Sequence, residues 1–378
     1  MLIEQLRLKN ILSFRDTTIK LGNLNVLIGP NGVGKSNLIE VVGLLQAAPT
    51  ELAPVILRGG GIRQWLWLGD DLPVTASIEC SLKLRDGRHD GPVSYDLQIL
   101  GDNNNSYAIT QESLTDSFSL SRGEAKLYAQ GPANPPTVMG FLGNESILSQ
   151  FKSPGDPTLT TTVSREFRGI QIFREFRTGP GTAVRQGIST STAKDRLHDG
   201  GDNLAMVLQD LNFQDRDDRV DHYLKRFCER FAGAKVDIGG GLARIYLSEA
   251  GLKDKISSAR MSDGTLKFLA LLAALLEPKP PPLMCIEEPE LGLHPDALQM
   301  VAEVLVEASQ GTQLIVTTHS EALVDALTDY PESVLVCERD FDNGTQMKRV
   351  PKKKLKLWLE RYKLGELWRK GEIGGSRW

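Results

Sequence analysis

The stretch Asn25–Asn37 reads NVLIGPNGVGKSN, and its reading decides the fold. An apolar run ends at a glycine-rich turn. SNLIEVVGLLQAA, Ser36 to Ala48, then places apolar residues at helical spacing. Gly29 to Ser36 fits G-x-x-x-x-G-K-[ST] in the strand–turn–helix context that a phosphate-cradling loop requires. Gly32 and Gly34 let the backbone bend so that its N–H groups face phosphate oxygens, and the positive end of the following helix adds to that field. In such a loop Lys35 reaches the β- and γ-phosphates and the Ser36 hydroxyl takes a Mg2+ ion.

A second apolar strand of this type is expected to carry an acid that holds the metal. LMCIEEPELGLHP, Leu283 to Pro295, fits it: apolar residues run directly into Glu287, Glu288 and Glu290. Adjacent carboxylates repel, and burial disfavours their charged forms, so a cation is expected nearby. Glu287 stands in the metal-associated place, and Glu288 would face the γ-phosphate and polarise the attacking water. Capping of the following helix is the alternative for these acids, since anions are favoured at a helix N-terminus. It suits Glu290 best. His319 ends the next strand, in VTTHS. It either bonds the γ-phosphate at the ligand edge of the sheet or caps the next helix. His294 either contacts a facing subunit or caps a helix.

The rest of the chain is consistent with a parallel sheet flanked by an antiparallel one. Residues 2–9 and 17–28 read as strands. From Val74 to Gln130 the pattern alternates, with Ile78, Cys80, Leu82 and Leu84 on one face and a turn signal at Asp86-Gly87. Residues 131–165 are rich in Gly, Pro, Ser and Thr and read as loops. Asp202 is a candidate cap for a helix through Phe213, and a second helix runs from Asp215 to Phe231. VDIGGGLARIYLSEAG reads as a hairpin. Thr265–Leu276 is an apolar helix ended by KPPP. Helix 296–309, strand 313–319, helix 321–328 and strand 333–337 follow, and this alternation argues for a parallel sheet.

Bulk properties exclude little but are consistent. The chain has 378 residues, 40% hydrophobic and 24% charged, and a net charge of −4, so any DNA contact must come from a local patch. The four cysteines are scattered and read as reduced thiols. The N-terminus lacks a signal-peptide layout and no apolar run spans a bilayer, so a cytoplasmic protein with no membrane partner is expected.

GPNGVGKSN, SDGTLKFL, IEEPELGLHP and VTTHS occur in that order. Together they resemble the ATPase heads of the ABC superfamily, in the branch of RecF, SMC proteins and OLD-family nucleases. Within that branch the chain is most similar to stand-alone RecF-like ATPases, down to its ending LGELWRKGEIGGSRW. The resemblance implies an α/β ABC-ATPase head. A mixed core sheet holds the phosphate loop beside an antiparallel β-subdomain, and an inserted helical and loop lobe carries the signature. Residues 1–130 would form the first part, 131–260 the insertion and 261–378 the C-terminal part. The insertion lacks the heptads of a long-armed SMC protein.

The resemblance further implies ATP and Mg2+ as cofactors. Lys35, Glu288 and His319 would be catalytic. Gly29, Asn31, Gly32, Gly34, Ser36 and Asn37 would touch the nucleotide, and Ser36 and Glu287 the metal. Ser262, Asp263 and Gly264 match the signature, which binds the γ-phosphate held by the other subunit. Asp263 departs from the usual glycine, and Glu287 from the usual aspartate. Gln64 is a candidate for the family's glutamine loop. Two heads would close over ATP as a homodimer or higher oligomer. DNA is one expected partner, through Arg165, Arg168, Arg174, Arg177, Arg185 and the run Lys348–Lys356, although a charge run is commonly a solvated face. A separately encoded effector in an anti-phage assembly is the other. A transporter cassette fits less well. Asp340 and Asp342 imitate a nuclease D-x-D pair, but FDNGT reads better as a turn.

Overall fold

A computed structural model describes residues 2–69, 74–84, 91–102, 104–115, 119–123, 126–130, 137–139, 143–150, 158–214, 219–350 and 352–375. Side chains are described for these apart from 119–139, 212–214, 352–354 and 356. The Asp86-Gly87 turn, residues 131–136, 140–142 and 151–157 of the loop-rich stretch, residues 215–218 and the last three residues lie outside the described residues. So do Pro351 and several side chains of the Lys348–Lys356 run.

Contacts divide the chain into two compact units. The first comprises Met1–Ile170, Glu332–Lys356 and Lys370–Trp378. Its strand Leu24–Ile28 is buried at every position, as a strand covered on both faces must be. It pairs in parallel with Val334–Asp340. Val334–Asp340 then pairs antiparallel with Gly344–Arg349. The antiparallel order continues through Phe14–Lys20, Ile3–Ile11, Val74–Leu82, Val93–Gly101 and Tyr107–Thr115. Strands Ser119–Gly123, Lys126–Gln130 and Thr137–Met139 extend it. The period-2 reading is right here: Ile78, Cys80, Leu82 and Leu84 are all buried.

Under this sheet a polar network closes the core. The fully buried Tyr95 donates from its hydroxyl to Glu112 (2.7 Å). Glu112 also accepts from Ser146 Oγ (2.5 Å) and the Ile147 N–H (2.9 Å), which satisfies a carboxylate that has no exposure.

The second unit comprises Gln171–Pro331 and Leu357–Arg369. Strands Gln171–Phe173, Leu283–Glu287 and Gln313–Thr317 lie parallel, with the acidic strand in the middle. Helix Asp263–Leu275 is buried around its circumference beyond the first turn, as its unbroken apolar run requires. Strands Phe231–Gly239 and Leu242–Glu249 form the expected hairpin. Its turn uses Gly240 and Gly241, both at positive φ, as a two-residue hairpin turn demands. Ile188–Ser189 and Ile256–Ser257 add to its edges. The helix expected from Asp202 begins at Leu204, and Asp202 faces Arg177 at 3.8 Å. Asn203, fully buried, ties the preceding loop to itself through the His198 N–H and the carbonyls of Ala193 and Arg196.

Candidate active site

The glycine-rich loop of the first unit is shaped by close approach. Gly29 has φ +148°, and a Cβ there would lie 2.4 Å from the Cys337 carbonyl oxygen. Gly34 (φ +99°) caps helix Lys35–Ala47 in the left-handed region, and its Cβ would lie 2.4 Å from both Ser13 Oγ and Thr345 Oγ1. Only glycine fits either position. Those two hydroxyls brace the loop from beneath. Thr345 Oγ1 donates to the Val33 carbonyl (2.6 Å) and lies 2.7 Å from Ser13 Oγ, which accepts from Asn37 Nδ2 (2.7 Å).

Lys35 is only 6% exposed, and its ammonium donates to the carbonyls of Gly29 (2.7 Å) and Pro30 (3.0 Å). Asn31, Gly32 and Ser36 are exposed. Asn31, Gly32 and Asn37 line a cleft of about 710 Å³ that also takes in Gln64, Trp67 and Arg339. Burial pushes the Cys337 thiol up to about 12, and Cys285 is pushed up for the same reason, so neither is a nucleophile.

In the second unit the acidic strand ends in a strained turn. Glu288 has φ +45°, rare for a residue with a side chain. Its N–H donates to the Thr317 carbonyl (3.0 Å), which holds the turn against the next strand. Glu287 faces a guanidinium: Arg174 Nη1 lies 3.1 Å from its Oε1. Glu288 Oε1 lies 3.7 Å from His319 Nε2, with both side chains about one-third exposed (33% and 35%).

Two helix-capping readings need correction. Glu290 caps nothing: its Oε1 accepts from Thr318 Oγ1 (2.6 Å) and the His319 N–H (2.9 Å), while its Oε2 is buried without a partner. The turn Pro295–Ala297 is capped by His294 Nδ1, which accepts from the Asp296 N–H (3.3 Å). Nor does His319 cap the next helix. Ser320 does, accepting from the Leu323 N–H (3.2 Å).

Ser262 is the N-cap of helix Asp263–Leu275 and accepts from the Thr265 N–H (3.1 Å). Asp263 pairs with Arg185 at 2.7 Å, and that hydrogen bond holds its carboxyl below the usual carboxylate range. A Cβ on Gly264 would lie 2.8 Å from the Gly292 carbonyl oxygen, and Lys267 Nζ lies 3.4 Å from the Leu291 carbonyl oxygen. Helix Asp263–Leu275 therefore rests on the loop that follows the acids. Between them a hollow of about 310 Å³ is lined by Arg174, Phe176, Lys267, Glu287, Glu288 and Leu291.

The five arginines offered as a DNA patch are largely spent. Arg168 bonds the Pro49 carbonyl (2.9 Å), Arg174 faces Glu287, and Arg185 is 14% exposed and engaged internally. Arg165 and Arg177 expose most of their side chains (63% and 64%). Arg349, within the basic run, bonds the Lys20 carbonyl, Asn25 Oδ1 and the Glu332 carbonyl. FDNGT is a turn: Asp340 accepts from the N–H groups of Asp342 (2.9 Å) and Asn343 (2.5 Å). Among the described residues no helix is long and apolar enough to cross a membrane.

Comparison with known proteins gives two family models. One, described as "AAA domain", matches residues 5–138. The other, described as "AAA domain, putative AbiEii toxin, Type IV TA system", matches residues 165–325. The chain is similar to the DNA double-strand break repair Rad50 ATPase of Sulfolobus acidocaldarius, at 54% identity over 41 residues (11% of this chain, 5% of that one). It is similar to the zinc import ATP-binding protein ZnuC of Histophilus somni, at 32% identity over 137 residues (35% of this chain, 48% of that one). The chain thus spans at most about half the length of these relatives. The crystal structure of an SMC head bound to the C-winged-helix domain of ScpA shares the fold, with TM-score 0.57 and 15% identity over 94% of this chain and 99% of that one. The two family models match different parts of the chain as AAA domains, and the chain shares the fold of SMC ATPase heads.

Proposed function

We propose that the chain binds ATP with Mg2+ and hydrolyses it in a composite site formed by two copies of itself. The observation that carries this is the Lys35 loop: a buried ammonium held by carbonyls of the loop it closes, beside glycines at positive φ and a helix N-terminus. Such a concentration of positive potential suits a phosphate chain. In this reading Gly29, Asn31, Gly32, Gly34 and Asn37 shape and line the phosphate cradle, and Lys35 takes the β- and γ-phosphates. In this reading Ser36, an exposed residue, and Glu287 would each offer oxygen to Mg2+. When bound, Mg2+ would neutralise charge on the triphosphate oxygens. Glu288 accepts a proton from the attacking water, and His319, 3.7 Å from it, bonds the γ-phosphate and orients the carboxylate. Ser262, Asp263 and Gly264 present the signature to the partner copy's nucleotide. The γ-phosphate contacts exist only when two heads close, so ATP drives association and hydrolysis reverses it.

The expected test is Glu288→Gln. It should bind ATP, stall hydrolysis and accumulate an ATP-dependent dimer by gel filtration; normal turnover would move the base elsewhere.

For the biological role we favour a DNA-associated ATPase, supported by the Rad50 match and by the SMC-head fold. With most of the arginine patch spent, its contacts fall to Arg165, Arg177 and the basic run near Lys348. The second reading is a sensor or scaffold in a defence assembly with a separate effector, favoured by the toxin–antitoxin description of the family model over 165–325. Hydrolysis measured with and without duplex DNA separates them. Stimulation that fades with salt supports the first, and indifference to DNA with a co-purifying protein supports the second.

A further inference from the structure

Arg185 sits 78 residues before the acid it contacts and belongs to none of the motifs. It is carried by the short helix Ala183–Gln186, which Gly187, at φ +97°, turns sharply into strand Ile188–Ser189. Its guanidinium is 14% exposed and uses every face of its fork. Nε donates to the Thr178 carbonyl (2.5 Å). Nη1 lies within bonding reach of the Met261 (2.8 Å), Ser258 (3.2 Å) and Ala259 (3.3 Å) carbonyls. Nη2 donates to Asp263 Oδ1 (2.7 Å). Ser258 returns the contact, its Oγ donating to the Arg185 carbonyl (3.4 Å).

All of these acceptors except Thr178 lie within the loop that leads into Ser262 or at the residue just after it. Three carbonyls of that loop, at Ser258, Ala259 and Met261, face one cation, which fixes the chain that leads into Ser262 at the start of helix Asp263–Leu275. The acid at Asp263 then has a physical reason to replace a glycine: it is the anionic anchor of the same clamp. A lysine could not reproduce it, because one ammonium offers three donors from a point, whereas the guanidinium offers five in a fixed plane.

We propose that Arg185 is a positioning residue for the signature. It clamps the Ser258–Met261 loop and Asp263 in the one arrangement that can engage nucleotide held by a second copy of the chain. The proposal rests on the two-copy reading above. The donors of Arg185 are engaged within its own chain, so the defect in an Arg185→Ala chain is confined to what that chain offers its partner.

The test is complementation in the full chain. Arg185→Ala alone should bind ATP as tightly as the parent chain, within about twofold, but lose at least about tenfold in hydrolysis. Arg185→Lys should fall between. Lys35→Ala alone should be inactive. A mixture of Arg185→Ala and Lys35→Ala chains should regain activity, because one chain supplies an intact nucleotide loop and the other an intact signature. A chain that merely unfolded could not complement. Ser262→Arg, run in parallel, separates the two levels. If Ser262→Arg homodimers stay active, or fail to be rescued by Lys35→Ala, the two-copy reading is wrong. If Ser262→Arg behaves as expected while Arg185→Ala stays active or resists rescue, the clamp is wrong and the two-copy reading stands.

Discussion

Glu290 offers the most discriminating perturbation of the acid cluster. Its carboxylate accepts from Thr318 Oγ1 at 2.6 Å and the His319 N–H at 2.9 Å, and so fixes the chain at the proposed phosphate sensor and just before it. A hydrogen bond to an ionised acceptor contributes about 1.5–3 kcal/mol net, and an orphaned buried N–H costs a comparable amount. Glu290→Ala removes both bonds. Partial solvent access lets water recover part of the loss, which leaves about 2 kcal/mol to be felt as misplacement of His319. Converted to rate, that is about a 30-fold fall in hydrolysis, with ATP affinity nearly unchanged because the phosphate loop is untouched. The assay is a double-mutant cycle with His319→Ala, reading single-turnover hydrolysis. If Glu290 acts through His319, the double variant should be no slower than His319→Ala alone, a coupling of about 2 kcal/mol. Simple multiplication of the two defects would refute the reasoning. Glu290→Gln should fall between, since the amide oxygen still accepts but its NH2 group is placed where the buried Oε2 has no partner.

Lys35→Ala should abolish ATP binding by titration with a fluorescent nucleotide while leaving the thermal melt nearly unchanged; retained affinity would overturn the phosphate-loop reading. Glu277 makes a prediction about pH. Burial pushes its carboxyl from 4.5 up to about 7, with Arg196 at 3.9 Å only partly opposing, and its side chain is 6% exposed. The folded chain therefore keeps a proton that the unfolded chain releases, so stability falls as pH rises from about 4.5 to about 7. The difference corresponds to about 3 kcal/mol as an upper limit. Glu277→Gln should raise the denaturant midpoint at pH 8 and leave it unchanged at pH 4; an equal shift at both would show that the charge is not responsible.

Much of this arrangement was legible because its signals are local. LMCI is a continuous apolar run and is buried throughout. Ser262 stands at the start of the apolar helix and caps it through the N–H three residues on. The GGG turn supplies its own hairpin geometry. What escaped is non-local or too short. Strand Gln171–Phe173 has three residues, too few for a period to show. The brace beneath the glycine-rich loop joins Ser13 to Thr345 across 332 positions. The arginines were read as a patch because a cation's exposure depends on partners distant in sequence: Arg174 meets Glu287 at a separation of 113 residues, and Arg185 meets Asp263 at 78.

The same non-locality explains how one strand can end in several acids. Like charges on neighbouring residues are tolerable when each has a different kind of partner. Glu287 faces a guanidinium, which is charged at every accessible pH. Glu288 faces an imidazole, whose charge depends on its proton. Glu290 faces only neutral donors and ties down the chain. The left-handed backbone at Glu288 stores strain that the Thr317 carbonyl holds in place. Those environments match the proposed division of labour. A carboxylate kept beside a permanent cation suits metal association, one beside an imidazole suits proton transfer, and one locked to the His319 N–H suits alignment of that ring. Exchanging the first two roles would require moving Arg174 and His319 as well as the acids, so Glu287→Gln and Glu288→Gln should fail differently: the first in metal-dependent nucleotide affinity, the second in turnover alone.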